Sequence, residues 1–133
     1  ELVGFYDAFE ENANKVAAEF GYKKFDSIAE LIAAVDVVDI VTPTMQHFEC
    51  AKQVIEAGKH IFIEKPISNT VAEAEEIITL AKKHNVKGQV GHVERFNPAF
   101  TAVKDKINNP MFIETHRLAE FNPRGTDVPV FLE

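Results

Sequence analysis

The stretch His60-Ile61-Phe62-Ile63-Glu64-Lys65-Pro66 decides the fold of this chain and carries its most informative polar residues. The apolar run 60–63, ended by charged residues and a proline, predicts a buried strand that leads into a loop. Burial there would favour the neutral form of Lys65, which can exchange a proton with a substrate hydroxyl or carbonyl. We also hypothesise a cis peptide bond before Pro66, which would aim Lys65 into a cleft. The same tripeptide also suits an ordinary surface turn, in which Pro66 only ends the strand.

Strands and helices alternate along the chain on both sides of this stretch. Apolar patterns predict strands at 2–6, 37–41, 60–63 and 86–90. Helical spacing predicts helices at 9–20, 27–32, 48–57 and 71–81. Gly58 is a natural cap for the end of the third helix, and Thr70 with Glu73 forms a capping box at the start of the fourth. Such repeated units predict an α/β fold built on a parallel sheet with right-handed crossovers. The nearly continuous apolar strand at 37–41 is typical of a sheet that is covered on both faces.

The residues that follow the predicted strands are polar or are turn formers. They are Asp7, Thr42-Pro43, Glu64-Lys65-Pro66 and Gly91-His92. In open parallel sheets, ligands bind at the carboxyl ends of the strands. We therefore expect these residues to meet at one edge of the sheet and to form a binding site there.

Composition restricts the class of protein. The chain has 133 residues, of which 46% are hydrophobic, so it is long enough to bury a core. Its net charge of −7 argues against a nucleic-acid groove or an anionic membrane surface. Cys50 is the single cysteine, which excludes an internal disulfide framework and suits the reducing cytoplasm. Because the first residue is Glu1 and the last residues carry no turn or cap, we expect this to be a part of a longer protein.

The pattern changes after His92, which predicts a second domain. Residues 94–107 have helical spacing, Asn108-Asn109-Pro110 breaks the pattern, and Met111 to Phe121 alternates loosely like an exposed strand. We therefore divide the chain into a first domain at 1–92 and the start of a second domain at 93–133.

Four segments, taken together, resemble the Gfo/Idh/MocA family of nicotinamide-dependent oxidoreductases. They match the family in order and spacing over essentially the whole chain, whereas the Glu-Lys-Pro motif alone is a weak signal. The segments are the strand-end Asp7, residues 38–43 with His47, residues 57–66, and Gly91-His92-Val93-Glu94-Arg95-Phe96-Asn97-Pro98.

This resemblance implies the latter part of a Rossmann-like dinucleotide-binding domain, followed by the beginning of an α/β substrate domain. Family members begin with a strand and a G-x-G-x-x-G turn, whose backbone amides hold the cofactor pyrophosphate. They also carry a histidine beyond the segment that ends at Glu133. The resemblance implies that the longer protein is an enzyme that acts on CH–OH groups. Because neither feature lies in this chain, we do not expect this part to turn over substrate alone.

The resemblance also assigns cofactor-binding residues. Asp7 would accept hydrogen bonds from both adenosine ribose hydroxyls and would repel a 2′-phosphate, so NAD is favoured over NADP. Thr42 and Pro43 would lie along the ribose and pyrophosphate, and His47 would lie near them on the next helix. Each of these residues also has a plainer interpretation, namely a helix cap for Asp7, a turn for Thr42-Pro43 and a packing residue for His47.

Further residues would serve the nicotinamide and the substrate. Glu64 resembles the residue that binds the nicotinamide ribose, and Lys65 resembles the catalytic lysine that donates a hydrogen bond or a proton to the substrate oxygen. Arg95 would lie near the nicotinamide or the substrate, or would form an ion pair between domains. His92 and Asn97 are additional candidates for substrate binding. No metal site is indicated.

Family substrates are mostly polyols, sugars and nucleotide sugars, and segment 91–98 is closest to the branch that acts on UDP-N-acetyl sugars. Family members commonly pair through the sheet of the second domain, so we expect a homo-oligomer, without a nucleic-acid or membrane partner.

Two other functions fit parts of the pattern. A phospho-acceptor receiver domain also places an aspartate, a threonine and a Lys-Pro at successive strand ends, as Asp7, Thr42 and Lys65-Pro66 are placed here. However, the strand at 86–90 and the second domain that follow would not belong to a receiver. Alternatively, the protein could bind NAD(H) without catalysing a reaction, although such a protein would have little need of a lysine in the cleft.

Overall fold

The computed structural model describes residues 1–114 and 116. Its centre is a three-stranded parallel sheet of β1 (Val37–Ile40), β2 (His60–Ile63) and β3 (Gly88–Val90), in the order β1-β2-β3. Val38 pairs with Ile61 and Ile40 with Ile63, while Ile63 pairs with Val90 on the other side of β2. This arrangement confirms the predicted α/β fold with a Rossmann-like parallel sheet.

Helices connect and flank the strands. They are α1 (Glu10–Phe20), α2 (Ile28–Ala34), α3 (Thr44–Glu56), α4 (Val71–Lys83) and α5 (Pro98–Val103), with short 3-10 segments at Val93–Phe96 and Lys104–Lys106. The predicted capping box at the start of α4 is present, since Thr70 Oγ1 accepts from the Glu73 N–H while the Glu73 carboxylate accepts from the Thr70 N–H. Local side-chain signals therefore fix where this helix begins.

The core lies on one face of the sheet, under α3 and α4. Ala51, Val54 and Ile55 of α3 have no exposed surface, and Ile77 of α4 is buried with them. The partners of these residues on the sheet are the alternate strand residues Val38, Ile40, Ile61 and Ile63. Removal of this apolar surface from water is the main stabilisation of the domain.

The prediction that the sheet is covered on both faces is wrong for the described residues. Val37 is 52% exposed and Val41 is 69% exposed, while Val38 and Ile40 between them are buried. Because α3 and α4 contribute to the same core cluster, they cover the same face, and the apolar residues of β1 that point away from it remain open to solvent.

The predicted strand at 2–6 is only a single bridge. Phe5 N–H donates to the Lys23 carbonyl and Phe25 N–H donates to the Phe5 carbonyl, and this parallel bridge is not joined to the three-stranded sheet. The approach is close, since a Cβ at Gly4 would lie 2.4 Å from the Lys23 oxygen. The apolar pattern was typical of a strand, but with one partner segment the described structure forms only this bridge.

The segment after β3 is less regular than predicted. The helix expected at 94–107 is divided into the first 3-10 segment, α5 and the second 3-10 segment. Asn97 lies between the first 3-10 segment and α5. Residues 111–114 and 116 form no strand, and Met111 and Phe112 are almost fully exposed. The rest of the strand predicted from Met111 to Phe121 lies outside the described residues.

Among the helices of the described part of the chain, none has both the length and the hydropathy that crossing a bilayer requires.

Candidate functional site at the carboxyl edge of the sheet

The parallel register brings three strand ends to one edge of the sheet. Glu64 N–H, just after β2, donates to the Ile40 carbonyl of β1, and Gly91 N–H, just after β3, donates to the Ile63 carbonyl of β2. The structure therefore places Thr42, Glu64-Lys65 and Gly91 side by side, as predicted. Asp7 follows the separate bridge at Phe5 and does not follow a strand of this sheet.

The position of the Glu64 carboxylate is fixed by a backbone hydrogen bond and by close contact with Gly91. It is half-buried, and its Oε2 accepts from the Lys65 N–H at 3.2 Å. Gly91 lies against it, since a Cβ on Gly91 would be 3.0 Å from Glu64 Oε1. Glycine at this position therefore leaves room for the carboxylate, which keeps acceptor capacity for a ligand rich in hydroxyl groups.

Asp39 is a neighbour of this carboxylate that was not predicted from the sequence. Burial raises the pKa of the Asp39 carboxyl, and the negative charge of Glu64 raises it further. The sequence feature that could have indicated this neighbour is an acidic residue within the apolar run of β1. The edge thus carries two carboxylates, of which Asp39 is the one pushed toward its neutral form.

Lys65 projects from this edge into solvent. It is exposed, so the prediction that the strand end would bury it is wrong for the described residues. The peptide bond between Lys65 and Pro66 is cis, as hypothesised. The Lys65 ammonium forms no salt bridge with the described residues. An exposed ammonium without a partner is available to a ligand.

A cavity of about 1190 Å³ adjoins the edge. Lys65 lines it, and so do two other predicted residues, His92 and Arg95. Asn97 does not line it. Its side chain accepts from the Ala99 N–H at 2.9 Å and donates to Glu94 at 2.7 Å, so Asn97 caps α5.

His47 lies beneath the edge and not at its surface. Only 1% of the residue is exposed, and its ring nitrogens lie 2.8 Å from the carbonyl oxygens of Thr42 and Pro66. Both nitrogens are thus committed to backbone groups, and neither is free for the cofactor contact predicted from the sequence.

Thr42 has a buried hydroxyl that makes no hydrogen bond to the described residues. The Cys50 thiol is a neighbour of this hydroxyl, but the contact does not reach hydrogen-bond geometry. Burial raises the pKa of the Cys50 thiol, the Thr42 hydroxyl opposes the rise, and the charge of Glu49 adds to it. A buried hydroxyl without a partner is unusual and marks Thr42 as a position where a ligand would supply the missing bond.

Asp7 forms a side-chain turn just before α1. Its Oδ1 accepts from the Phe9 N–H at 2.9 Å, and its Oδ2 accepts from the Asn12 side-chain amide. The N-cap of α1 is Phe9, which receives no side-chain cap bond, so the plainer interpretation of Asp7 as the helix N-cap is wrong. Because each carboxylate oxygen has two lone pairs, the turn leaves acceptor capacity for ribose hydroxyls.

These groups fit a dinucleotide better than a metal ion. The held carboxylate of Glu64, the Thr42 hydroxyl and the ammonium of Lys65 suit hydroxyl and phosphate groups, and residues 1–114 contain no cluster of His, Cys, Asp and Glu able to hold a metal.

Comparisons with known proteins agree with this geometry. A UDP-N-acetylglucosamine 3-dehydrogenase of Acidithiobacillus ferrooxidans is 37% identical over 134 residues, which cover 100% of this chain and 43% of that protein. A scyllo-inositol 2-dehydrogenase (NAD(+)) of Bacillus subtilis is 34% identical and matches 81% of this chain and 32% of its own length. The chain therefore spans less than half the length of these relatives.

Solved structures give the same result. The structure of the Acidithiobacillus ferrooxidans enzyme GnnA superimposes with a TM-score of 0.88, covering 98% of this chain and 43% of that one. The WlbA dehydrogenase of Bordetella pertussis, in complex with NADH and UDP-GlcNAcA, has a TM-score of 0.75 at 27% identity, and the match covers 80% of this chain and 32% of that one. Residues 1–92 match the family model described as "Oxidoreductase family, NAD-binding Rossmann fold", so the chain belongs to the Gfo/Idh/MocA family of oxidoreductases.

Proposed function

We propose that the whole protein is an NAD-dependent oxidoreductase, which transfers a hydride between the nicotinamide cofactor and a CH–OH or carbonyl group of a sugar, polyol or nucleotide sugar. The observation that carries this proposal is the exposed Lys65 beside the held Glu64 carboxylate, at the carboxyl edge of a parallel sheet. Ligands bind at this edge in open α/β sheets. The family match over residues 1–92 supports the same reaction class.

In this proposal the cofactor-binding residues lie along the sheet edge. Glu64 accepts hydrogen bonds from the nicotinamide ribose, and Asp7 accepts them from the adenosine ribose, which favours NAD over NADP. Thr42 and Pro43 lie along the ribose and pyrophosphate, where the Thr42 hydroxyl gains the hydrogen-bond partner that it lacks. When bound, the nicotinamide supplies the site that accepts or donates the hydride.

Lys65 serves the substrate oxygen. As an ammonium it donates a hydrogen bond to the substrate oxygen. In the oxidative direction it stabilises the alkoxide charge that forms as the hydroxyl proton leaves to a base, namely the histidine that family members carry beyond residue 133; in the reductive direction it stabilises the charge that develops on the carbonyl oxygen as the hydride adds to carbon. His92 and Arg95 line the same cavity and are positioned to contact a polar or anionic part of the substrate.

We assign a nucleotide sugar of the UDP-N-acetyl class as the substrate. The relative matched over the whole chain is named for UDP-N-acetylglucosamine, and the complex of the Bordetella pertussis protein contains UDP-GlcNAcA. The remaining features of the proposal are a second domain from residue 93, a homo-oligomer and a cytoplasmic location. The end of the family match at residue 92 supports the boundary, and the single cysteine is consistent with the location.

The test is NADH formation by the whole protein from NAD⁺ and UDP-N-acetylglucosamine, with Lys65→Met compared against Lys87→Met. Lys87 is also exposed but follows α4, away from the cavity. We expect Lys65→Met to lower kcat by roughly 10²- to 10⁴-fold, as loss of a proton-transfer or oxyanion-stabilising group does. The Lys87 variant should be unaffected.

The outcome also decides between catalysis and binding alone. Binding of NADH without turnover of any sugar or polyol would favour the non-catalytic protein, and absence of NADH binding would overturn the proposal. The receiver domain has no support from the family match or from the comparisons.

A further inference from the structure

The backbone of Gly91 does not require a glycine. Gly21 and Gly58 have φ of 70° and 74°, in the left-handed region that other residues rarely adopt, whereas φ of Gly91 lies outside that region. Gly91 is buried, and its N–H donates to the Ile63 carbonyl at 2.8 Å, just beyond the last residue pair of β2 and β3. What the absent side chain provides at this position is therefore space.

The Glu64 carboxylate occupies that space. A Cβ on Gly91 would lie 3.0 Å from Oε1, 3.2 Å from Oε2 and 3.2 Å from Cδ of Glu64. Nearly equal distances to the three atoms of a planar group mean that the carboxylate turns its flat face toward Gly91. The strand register explains this contact. Ile63 pairs with Val90, so the residues that follow them on the two strands lie side by side.

This stacking leaves the edges of the carboxylate open. Hydrogen-bond donors approach an sp² oxygen near the plane of its group, so a contact on the face does not block them. The Oε2 of Glu64 accepts from the Lys65 N–H at 3.2 Å in this way. The remaining acceptor positions of the two oxygens can serve hydroxyl groups of a ligand. Rotation of the carboxylate away from Gly91 would redirect all of them at once.

We infer that Gly91 is a positioning residue for Glu64, because its bare Cα is the surface on which the carboxylate lies and so sets the direction in which Glu64 accepts hydrogen bonds. That these bonds come from the cofactor ribose rests on the proposed function. A methyl group at position 91 would be closer to the carboxylate than the ordinary contact distance of about 3.5 Å. The carboxylate ends a flexible side chain, whereas the main chain of Gly91 is held by the sheet, so the carboxylate is the group that would move.

The first experiment measures the affinity of the whole protein for NADH by fluorescence titration in Gly91→Ala and in Gly88→Ala. Gly88 is the matched control, because it lies in β3 and a Cβ there would be 3.2 Å from the Ile61 side chain. We expect Gly91→Ala to bind NADH roughly tenfold more weakly, the effect of losing one hydrogen bond to a charged acceptor. Gly88→Ala should bind NADH as the wild type does, even if it unfolds at a lower temperature. Unchanged affinity in Gly91→Ala, or equal losses in both variants, would contradict the inference.

A double-mutant cycle tests whether the effect passes through Glu64. Glu64→Ala removes the carboxylate and makes room for the added methyl group. In that background we expect Gly91→Ala to lower the affinity by less than about twofold more. A further loss as large as in the wild-type background would mean that position 91 acts without Glu64, which would overturn the inference.

The same pair of variants covers a failure to fold. The three atoms nearest to the added Cβ all belong to the Glu64 carboxylate. If Gly91→Ala alone is unstable, Glu64→Ala should therefore restore its folding. A double variant that remains unfolded would count against the inference.

Crystal structures of the wild type and of Gly91→Ala without cofactor give a readout that does not depend on binding or catalysis. We expect the Glu64 carboxylate to leave its face-on position while the main chain of 88–91 stays in register. A carboxylate that remains face-on, or a main chain that moves in its place, would overturn the inference. If NADH binds to neither protein, the proposed function fails, whereas the position of the carboxylate still decides the role of Gly91.

Discussion

At the scale of single residues, Asp7 combines a structural role with a proposed functional one. Its Oδ1 accepts from the Phe9 N–H and so fixes the turn that leads into α1. The same carboxylate is proposed to select NAD by accepting ribose hydroxyls and repelling a 2′-phosphate. The two roles differ in what they need, since the turn needs a short side-chain oxygen and cofactor selection needs a negative charge.

Asp7→Asn separates these two roles, because the asparagine side chain forms the same turn as aspartate but is neutral. We expect NADH to bind roughly fivefold more weakly, since hydrogen bonds to a charged acceptor are stronger than those to a neutral one by about 1 kcal/mol. NADPH should bind more tightly than it does to the wild type. Titration of the whole protein with both cofactors measures this.

The stability of the same variants provides the control. Asp7→Asn should unfold at nearly the wild-type temperature, whereas Asp7→Ala should lose about 1 kcal/mol through the missing hydrogen bonds of the turn. Unchanged preference between NADH and NADPH in folded Asp7→Asn would refute the assignment of Asp7 to cofactor selection.

At the scale of secondary-structure elements, the start of α4 connects stability to the site. Thr70 and Glu73 form its capping box, and the Glu73 carboxylate also accepts from the Asn69 N–H at 3.0 Å. The loop fixed in this way runs back to Lys65, and both Asn69 and Thr70 line the same cavity as that lysine. A helix cap thus defines one end of the loop that carries the catalytic candidate.

Thr70→Ala removes the bond of this capping box in which the Thr70 hydroxyl accepts from the Glu73 N–H. We expect the free energy of unfolding to fall by about 1 kcal/mol, the usual cost of losing a threonine cap. Urea denaturation of the whole protein measures it. Thr79→Ala is the matched control, because Thr79 lies within α4 and its hydroxyl bonds only to the Glu75 carbonyl of the same helix. That change should stay within about 0.5 kcal/mol, and equal losses in both variants would show that the cap has no special role.

At the scale of the whole molecule, the fold brings together like charges that are distant in sequence. Asp39 lies on β1 and Glu64 follows β2, and parallel pairing of these strands places the two carboxylates near one another. Burial first and Glu64 second raise the pKa of Asp39. A carboxyl with a raised pKa favours folding in its neutral form, so its contribution is fully present below the ordinary aspartate pKa.

Stability should therefore depend on pH through Asp39. As the pH rises through the raised pKa of the folded state, this contribution is lost, and at neutral pH the charged carboxylate opposes folding. Asp39→Asn should raise the thermal midpoint at neutral pH by the equivalent of less than about 1 kcal/mol, since solvent screens much of the repulsion. The advantage should disappear below about pH 4.

Thermal unfolding of the whole protein across this pH range tests the prediction. Asp36→Asn is the control, because Asp36 is exposed just before β1. A midpoint of Asp39→Asn below that of the wild type at neutral pH would mean that the ionised carboxylate is stabilised by contacts other than those described.

Local patterns in the sequence determined the elements of this protein. The apolar runs gave β1 and β2, the pair Thr70 and Glu73 gave the start of α4, and Gly58, with φ of 74°, marks the end of α3. These predictions hold because strand burial and helix capping act between residues only a few positions apart. The polar residues at strand ends were predictable too, since parallel strands carry their carboxyl ends to one edge.

Only the tertiary structure decided which of these elements pair, which of their faces are buried and which side chains meet. Within the described part of the chain, it showed that Phe5 forms a bridge outside the sheet, that one face of β1 is exposed, and that Asp39 lies near Glu64. It also turned His47 from a predicted cofactor contact into a buried link between two loops. The physical reason is that hydrogen bonds and charges act through space, so their partners depend on the packing of distant segments, whereas periodicity and capping depend on the neighbouring residues alone.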